Sequence, residues 1–291
     1  MALPPILPGM AALVDAHDGF VLDLWGVLHD GVAAYPGAVD ALARLRAAGK
    51  RIVLLSNSPG RRASVASRMA ALGIVPDLYD ALVTSGETAH AAMRDRPDDA
   101  HRALGPRAYL LGPPRDTGIL EGLPGIARVA SPQDADFIVN TGADAIEETA
   151  DLYDPVLDAG LARDLPMVCA NPDLEVMVGD RMAICAGLIA ERYAARGGRV
   201  IWHGKPHPGV YATCRTILAM PDARVMAVGD TLRTDVAGAR AAGFAAALVT
   251  VGIHRDDLGT HDGGPPEPAR LAALLARSPV RPDVVLPRFV W

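Results

Sequence analysis

Short, almost wholly apolar runs, each closed abruptly by polar residues, alternate along this chain with stretches in which alanine, leucine and arginine recur at helical spacing. The pattern predicts a strand near 20–23, a helix near 37–49, a strand near 51–56, a helix near 60–72, a strand near 81–84 and a helix near 86–95. Continuous apolar strands separated by helices are the mark of a parallel sheet covered on both faces. At His101-Arg102-Ala103-Leu104-Gly105-Pro106 a turn-rich stretch breaks the alternation and places a domain boundary. The segment 106–197 has its own strands, Ala108–Leu111, Phe137–Asn140 and Met167–Ala170, and a helix near 145–163. Alternation resumes with a strand Arg199–Trp202, a helix near 208–219, a strand Arg224–Val228, a helix near 235–242 and a strand Ala245–Val249. A polar loop over 259–268 then leads to a helix near 268–277 and a strand near 283–286. The expected fold is α/β, with a core in two pieces (1–105 and 198–291) and a small α/β domain inserted at 106–197.

Composition narrows the partners. The 291 residues are 50% hydrophobic and 21% charged, an ordinary globular balance, and the formal charge of −6 comes without a basic run. Neither nucleic acid nor an anionic membrane finds its electrostatic footprint here, so small molecules are the expected ligands. Cys169, Cys185 and Cys214 are odd in number and lack metal-type spacing, which favours free thiols in a reducing compartment. No run approaches the roughly 18 apolar residues of a membrane span, and residues 1–19 lack a basic stretch leading into an apolar one. The expected location is the cytoplasm.

Four strand ends carry the candidate chemistry, because parallel strands bring their C-terminal ends to one edge. The first, Val21-Leu22-Asp23-Leu24-Trp25-Gly26, delivers a carboxylate to a sharp turn, as a nucleophile, a metal ligand or simply a turn cap. The second presents Ser56, Asn57 and Ser58, either to a phosphate oxygen or as an ordinary helix cap. In the third, Gly204-Lys205-Pro206-His207-Pro208, stiff neighbours hold a lysine so that its ammonium can be aimed. The fourth, Val228-Gly229-Asp230-Thr231-Leu232-Arg233-Thr234-Asp235, repeats the Asp23 geometry at Asp230, with Asp235 as a second carboxylate or an N-cap. Three carboxylates at one edge raise each other's pKa values or take a cation. Mg2+ suits oxygen ligands and commonly bridges to phosphate.

In this order and spacing the four segments resemble the motifs of the haloacid dehalogenase-like (HAD) superfamily. The inserted domain, with Val83-Thr84-Ser85 before it and Ala170-Asn171-Pro172-Asp173 within it, resembles the cap of subclass IIA, which includes NagD-type, p-nitrophenyl phosphate and pyridoxal phosphate phosphatases. The resemblance implies a three-layer Rossmannoid core with a C2-type cap and hydrolysis of small phosphorylated metabolites. It implies that Asp23 is the nucleophile forming an aspartyl-phosphate, that Ser56 holds the phosphate with Asn57 beside it, and that Lys205 pairs with both the nucleophile and the phosphate. It also implies that Mg2+ is bound by Asp23, Asp230 and the backbone carbonyl of Trp25, with Asp235 supporting the shell. Caps of this subclass often dimerise, which implies a homodimer through the cap.

Trp25 departs from the family, which usually carries there a second aspartate that protonates the leaving oxygen and then activates water. Indole offers only an N–H donor, and losing general acid–base help costs on the order of 10² to 10⁴ in rate. Three accounts follow: a leaving group good enough to depart unprotonated, a substitute acid such as His29 or Asp30 on the adjacent turn, or a protein that binds phosphate esters with weak turnover. In the cap, Asn171, Glu175 and Arg181 are the candidates for reading the substrate, Glu175 and Arg181 being equally readable as solvated loop charges. A dinucleotide binder is disfavoured because no Gly-x-Gly-x-x-Gly follows the first strand. A dehalogenase is disfavoured by Asp230 and Asp235, since such enzymes need no metal.

Overall fold

A computed structural model of the chain describes residues 2–291. Three strands open it: β1 (Gly19–Leu22), β2 (Arg51–Ser56) and β3 (Ala81–Thr84). The inserted domain holds β4 (Arg107–Leu111), β5 (Ala127–Val129), β6 (Phe137–Asn140), β7 (Met167–Cys169), a hairpin of β8 (Glu175–Val178) and β9 (Arg181–Ile184), and β10 (Val200–Trp202). The chain closes with β11 (Val225–Gly229), β12 (Ala245–Val249) and β13 (Val284–Leu286). The core sheet has the order β13-β12-β11-β1-β2-β3, parallel throughout. Its two faces follow from strand period: Phe20, Leu22, Ile52, Leu54, Met226 and Val228 pack on one side. Val21, Val53, Leu55, Val225 and Ala227 pack on the other.

Register positions the chemistry. Leu22 lies opposite Leu54 on one neighbour and Val228 on the other, so Asp23, Ser56 and Asp230 leave the sheet at one level on one edge. The expected parallel α/β core is therefore present, and most element bounds agree with the sequence to within a few residues.

The cap sheet has the order β10-β7-β6-β4-β5, again parallel, and two elements differ in placement. Val200–Trp202 was expected in the second core segment, but it pairs with β7 and completes the cap sheet, so the chain re-enters the core at Gly204. The helix Ser85–Asp95 was placed in the core, yet its Ala89 and Met93 pack against Leu110, Phe137 and Val168 of the cap. Both elements thus associate with the cap sheet although they lie outside 106–197.

Two elements differ in kind. The helix expected over 145–163 begins only at Asp154. Pro155 at its first turn has no N–H to donate to a preceding turn, so the α-helix can start there but not extend back through it. Before it, Ala150–Tyr153 form a 3-10 turn, and Glu148 takes the N–H of Asp144 at 2.9 Å and the Tyr153 hydroxyl at 2.5 Å. The helix expected near 235–242 starts at Leu232 with a π-turn through Val236 before Ala237–Ala241. All three cysteines are free and buried, and among the described residues no helix is long and apolar enough to cross a membrane.

Candidate active site

The four strand ends meet. Lys205 Nζ lies 2.6 Å from Asp23 Oδ1 and 2.7 Å from Asp235 Oδ1. Asp23, Asp230 and Asp235 each offer an oxygen within 4.8 Å of the others'. Asn57 ties the second segment to the third, its Oδ1 accepting the Lys205 N–H at 2.7 Å while its Nδ2 donates to the Lys205 carbonyl at 3.1 Å. The same Nδ2 donates to Asp173 of the cap at 2.9 Å. Asp230 accepts the Ile253 N–H at 2.7 Å and the Thr231 hydroxyl at 3.0 Å, and Asp235 accepts the Thr231 N–H at 3.2 Å.

Burial sets the electrostatics. It pushes the Asp23 carboxyl well above its ordinary range; Lys205 opposes this, while Asp235 and Asp230 add to the rise. Burial and then Asp235 lift Asp230 to about 7. Burial works against the Lys205 ammonium, but Asp23, Asp235 and Asp173 outweigh it and hold Lys205 well above its usual value, a cation throughout. Three buried carboxylates against one ammonium leave the cluster short of positive charge. An all-oxygen donor set with that deficit fits a hard divalent cation.

Glycines make room for this crowding. A Cβ on Gly26, whose φ is +74°, or on Gly252 would overlap the Asp230 carboxylate, and one on Gly229 would overlap that of Asp235.

A cavity of about 270 Å³ opens between core and cap, lined by Asp23, Trp25, Ser56, Asn57, Ser58 and Asn171 among others. Ser56 and Asn57 are not helix caps, because the following helix begins at Arg62 with Arg61 as its cap. Asp235 likewise sits inside the π-turn rather than at its cap, Thr231. Asn171 reaches the cavity, and its Oδ1 accepts the Asp173 N–H at 3.0 Å.

Three expected site residues fall elsewhere. His29 is 1% exposed and absent from the cavity wall, lying edge-on to Trp25 with ring centroids 5.0 Å apart. Its Nδ1 accepts the Gly31 N–H at 2.9 Å, and burial lowers its pKa to about 4. A neutral imidazole walled off by Trp25 is no substitute acid at neutral pH. Glu175 is turned away by strand alternation, on the hairpin face opposite Val176 and Val178, which do line the cavity. Arg181 is exposed and pairs with Glu147.

Sequence reasoning passed over Arg68, Arg115, Asp116 and Asp144, which also line the cavity. It also passed over the hairpin, although Gly179-Asp180 between two alternating runs is a hairpin signal.

The chain is similar to known proteins over most of its length. Residues 20–123 match the family described as haloacid dehalogenase-like hydrolase, and residues 202–288 match the one described as HAD-hydrolase-like. Human chronophin is 31% identical over 254 residues, covering 81% of this chain and 82% of that protein. The ribonucleotide monophosphatase NagD of Escherichia coli K12 is 27% identical over 240 residues, covering 80% and 87%. The crystal structure of a haloacid dehalogenase-like hydrolase from Brucella suis 1330 superposes with a TM-score of 0.82 at 31% identity, covering 98% of this chain and all of that one. With core, cap and sequence in agreement, the chain belongs to the haloacid dehalogenase-like hydrolases of subclass IIA and is a phosphatase of that group.

Proposed function

We propose that the protein hydrolyses small phosphorylated metabolites through an aspartyl-phosphate on Asp23, in a Mg2+-dependent reaction that favours good leaving groups. One observation carries this reading: Lys205 Nζ bridges Asp23 and Asp235 at 2.6 and 2.7 Å, and Asp23 lines a cavity that Trp25 also lines. Asp23 attacks phosphorus, a P–O bond to the leaving group breaks, and water later cleaves the acyl phosphate to regenerate the carboxylate. Lys205 offsets the repulsion between carboxylate and phosphate, and the Ser56 hydroxyl and Asn57 hold phosphoryl oxygens. Magnesium, when bound, supplies positive charge to the phosphoryl oxygens; Asp23, Asp230 and the Trp25 carbonyl would hold it, with Asp235 in support.

Trp25 defines the substrate range. It neither protonates the departing oxygen nor activates water, and His29 does not reach the cavity, so aryl or acyl phosphates should turn over faster than alkyl phosphates. A screen of the three classes with Mg2+ or EDTA tests both claims, and equal turnover in EDTA would discard the metal. Trp25→Asp should raise alkyl phosphate turnover by on the order of 10²-fold; unchanged activity sinks the idea that proton transfer is what the site lacks. The same tryptophan favours a second reading, a phosphometabolite-binding protein of weak turnover, which wins if phosphate esters of all three classes bind and none is cleaved. Pairing of two chains through the cap, implied by the resemblance, is tested by sedimentation velocity, where a single monomeric species at micromolar concentration discards it.

A further inference from the structure

Apart from the carboxylate cluster, a second cavity of about 340 Å³ is lined by Asp98, His101, Trp202, His203 and His207. The Nε2 atoms of His101 and His203 stand 3.1 Å apart. Asp98 Oδ1 accepts from His101 Nδ1 at 2.7 Å and from the His101 backbone N–H at 2.9 Å. We infer that His101 and His203 form a binding site for a transition-metal dication of the kind that prefers imidazole, Zn2+ above all, with waters from the cavity completing its shell.

The geometry carries the inference. Two nitrogens bound at about 2.0–2.1 Å to a tetrahedral ion are roughly 3.3–3.4 Å apart, within a few tenths of an ångström of the spacing here. Asp98 holds the proton of His101 on Nδ1, which leaves the Nε2 lone pair aimed at His203, and a carboxylate behind the distal nitrogen is how metal-binding histidines are ordinarily oriented. His203 is anchored by its backbone N–H, which donates to the Cys169 carbonyl at 3.0 Å. Burial, followed by the neighbouring His101 and His207, lowers the His203 pKa to about 3, so the ring is neutral at neutral pH. In the metal-free chain the two Nε2 atoms share one hydrogen. On binding, His203 shifts that hydrogen to its Nδ1 and both Nε2 lone pairs face the ion.

The test is Zn2+ titration of the full chain, with millimolar Mg2+ present to occupy the carboxylate cluster, followed by calorimetry and, with Co2+ as the probe, by visible absorption. One equivalent should bind with a Kd near micromolar, and Co2+ should give the intense bands of a tetrahedral nitrogen site. His101→Gln and His203→Gln should each weaken binding by at least tenfold, and Asp98→Asn by about tenfold. Affinity no better than about millimolar, or affinity unchanged in His203→Gln, overturns the inference. Should a variant fail to fold, the wild-type chain still decides: histidine ring proton resonances must shift with sub-stoichiometric Zn2+, and their constancy overturns it equally.

Discussion

At the scale of single residues, the site is governed by a shortage of positive charge. Lys205 is the cation bonded to the carboxylates, and Asp230 is lifted to about 7, by burial first and Asp235 second. A carboxyl whose folded pKa exceeds its unfolded value near 3.8 binds more protons when folded, so its contribution to stability is complete below about 3.8 and disappears as pH rises through about 7. In EDTA, denaturant midpoints should therefore rise as pH falls from 8 toward 4, and Asp230→Asn should remove that share of the slope. Adding a divalent cation should stabilise the protein most at the alkaline end, where the carboxylates are ionised; a wild-type slope retained in Asp230→Asn would show that the titration lies elsewhere. The residues that converge here were legible because each follows an apolar strand in a parallel arrangement, which makes side chains distant in sequence neighbours at one edge. His29 was misread for a physical reason. Sequence places it four residues from Trp25, but the turn folds it beneath the indole and ties its Nδ1 to Gly31, and sequence spacing does not reveal which side of a turn faces the cavity.

At the scale of elements, the strands were the easiest to read and the cap connections the hardest. Apolar runs such as Ile52–Leu55 define strands by themselves, whereas the partner of Val200–Trp202 depends on which sheet has an open edge, a property of the assembled fold. Glu175 and Arg181 show the same limit, since their roles depend on the phase of a hairpin read as a loop. The helix Ser85–Asp95 shows how such an element is held. Thr84 accepts the Glu87 N–H at 3.1 Å, and Glu87 accepts from Arg61 at 2.9 Å and from the Arg62 N–H at 3.0 Å. The Arg61 hydrogen bond holds the Glu87 carboxyl down at about 2. Its contribution is present above about 4.5 and is lost as pH falls toward 2. Thr84→Ala should cost about 1 kcal/mol by urea denaturation. Glu87→Gln should flatten the acid limb of stability between pH 4.5 and 2 while leaving its neutral limb intact; an unaltered acid limb would refute the assignment.

At the scale of the whole molecule, cap and core are joined by contacts near the cavity between them. Arg255 donates to the Gly179 carbonyl at the hairpin tip at 3.1 Å, and the Gly179 N–H donates to the Asp30 carbonyl at 3.2 Å. Arg233 donates to the Pro172 carbonyl at 2.8 Å. Because Val176 and Val178 wall the cavity from that hairpin, loosening its tip should weaken substrate binding more than chemistry. Arg255→Ala should raise KM severalfold with kcat nearly unchanged, and limited proteolysis should cut within 175–184 faster than in the parent chain. A drop confined to kcat would place Arg255 in the reaction itself.

Gly204 draws these scales together. A side chain there would strike Asn57, Pro172 and Ser85, which belong respectively to the loop after β2, the cap loop and the first residue of the outgoing connection. The two covalent links between the halves of the molecule thus pass each other at the residue preceding Lys205. A side chain at Gly204 would therefore have to push core and cap segments apart right beside Lys205, whose own contacts to Asn57, Asp23 and Asp235 lie within the core.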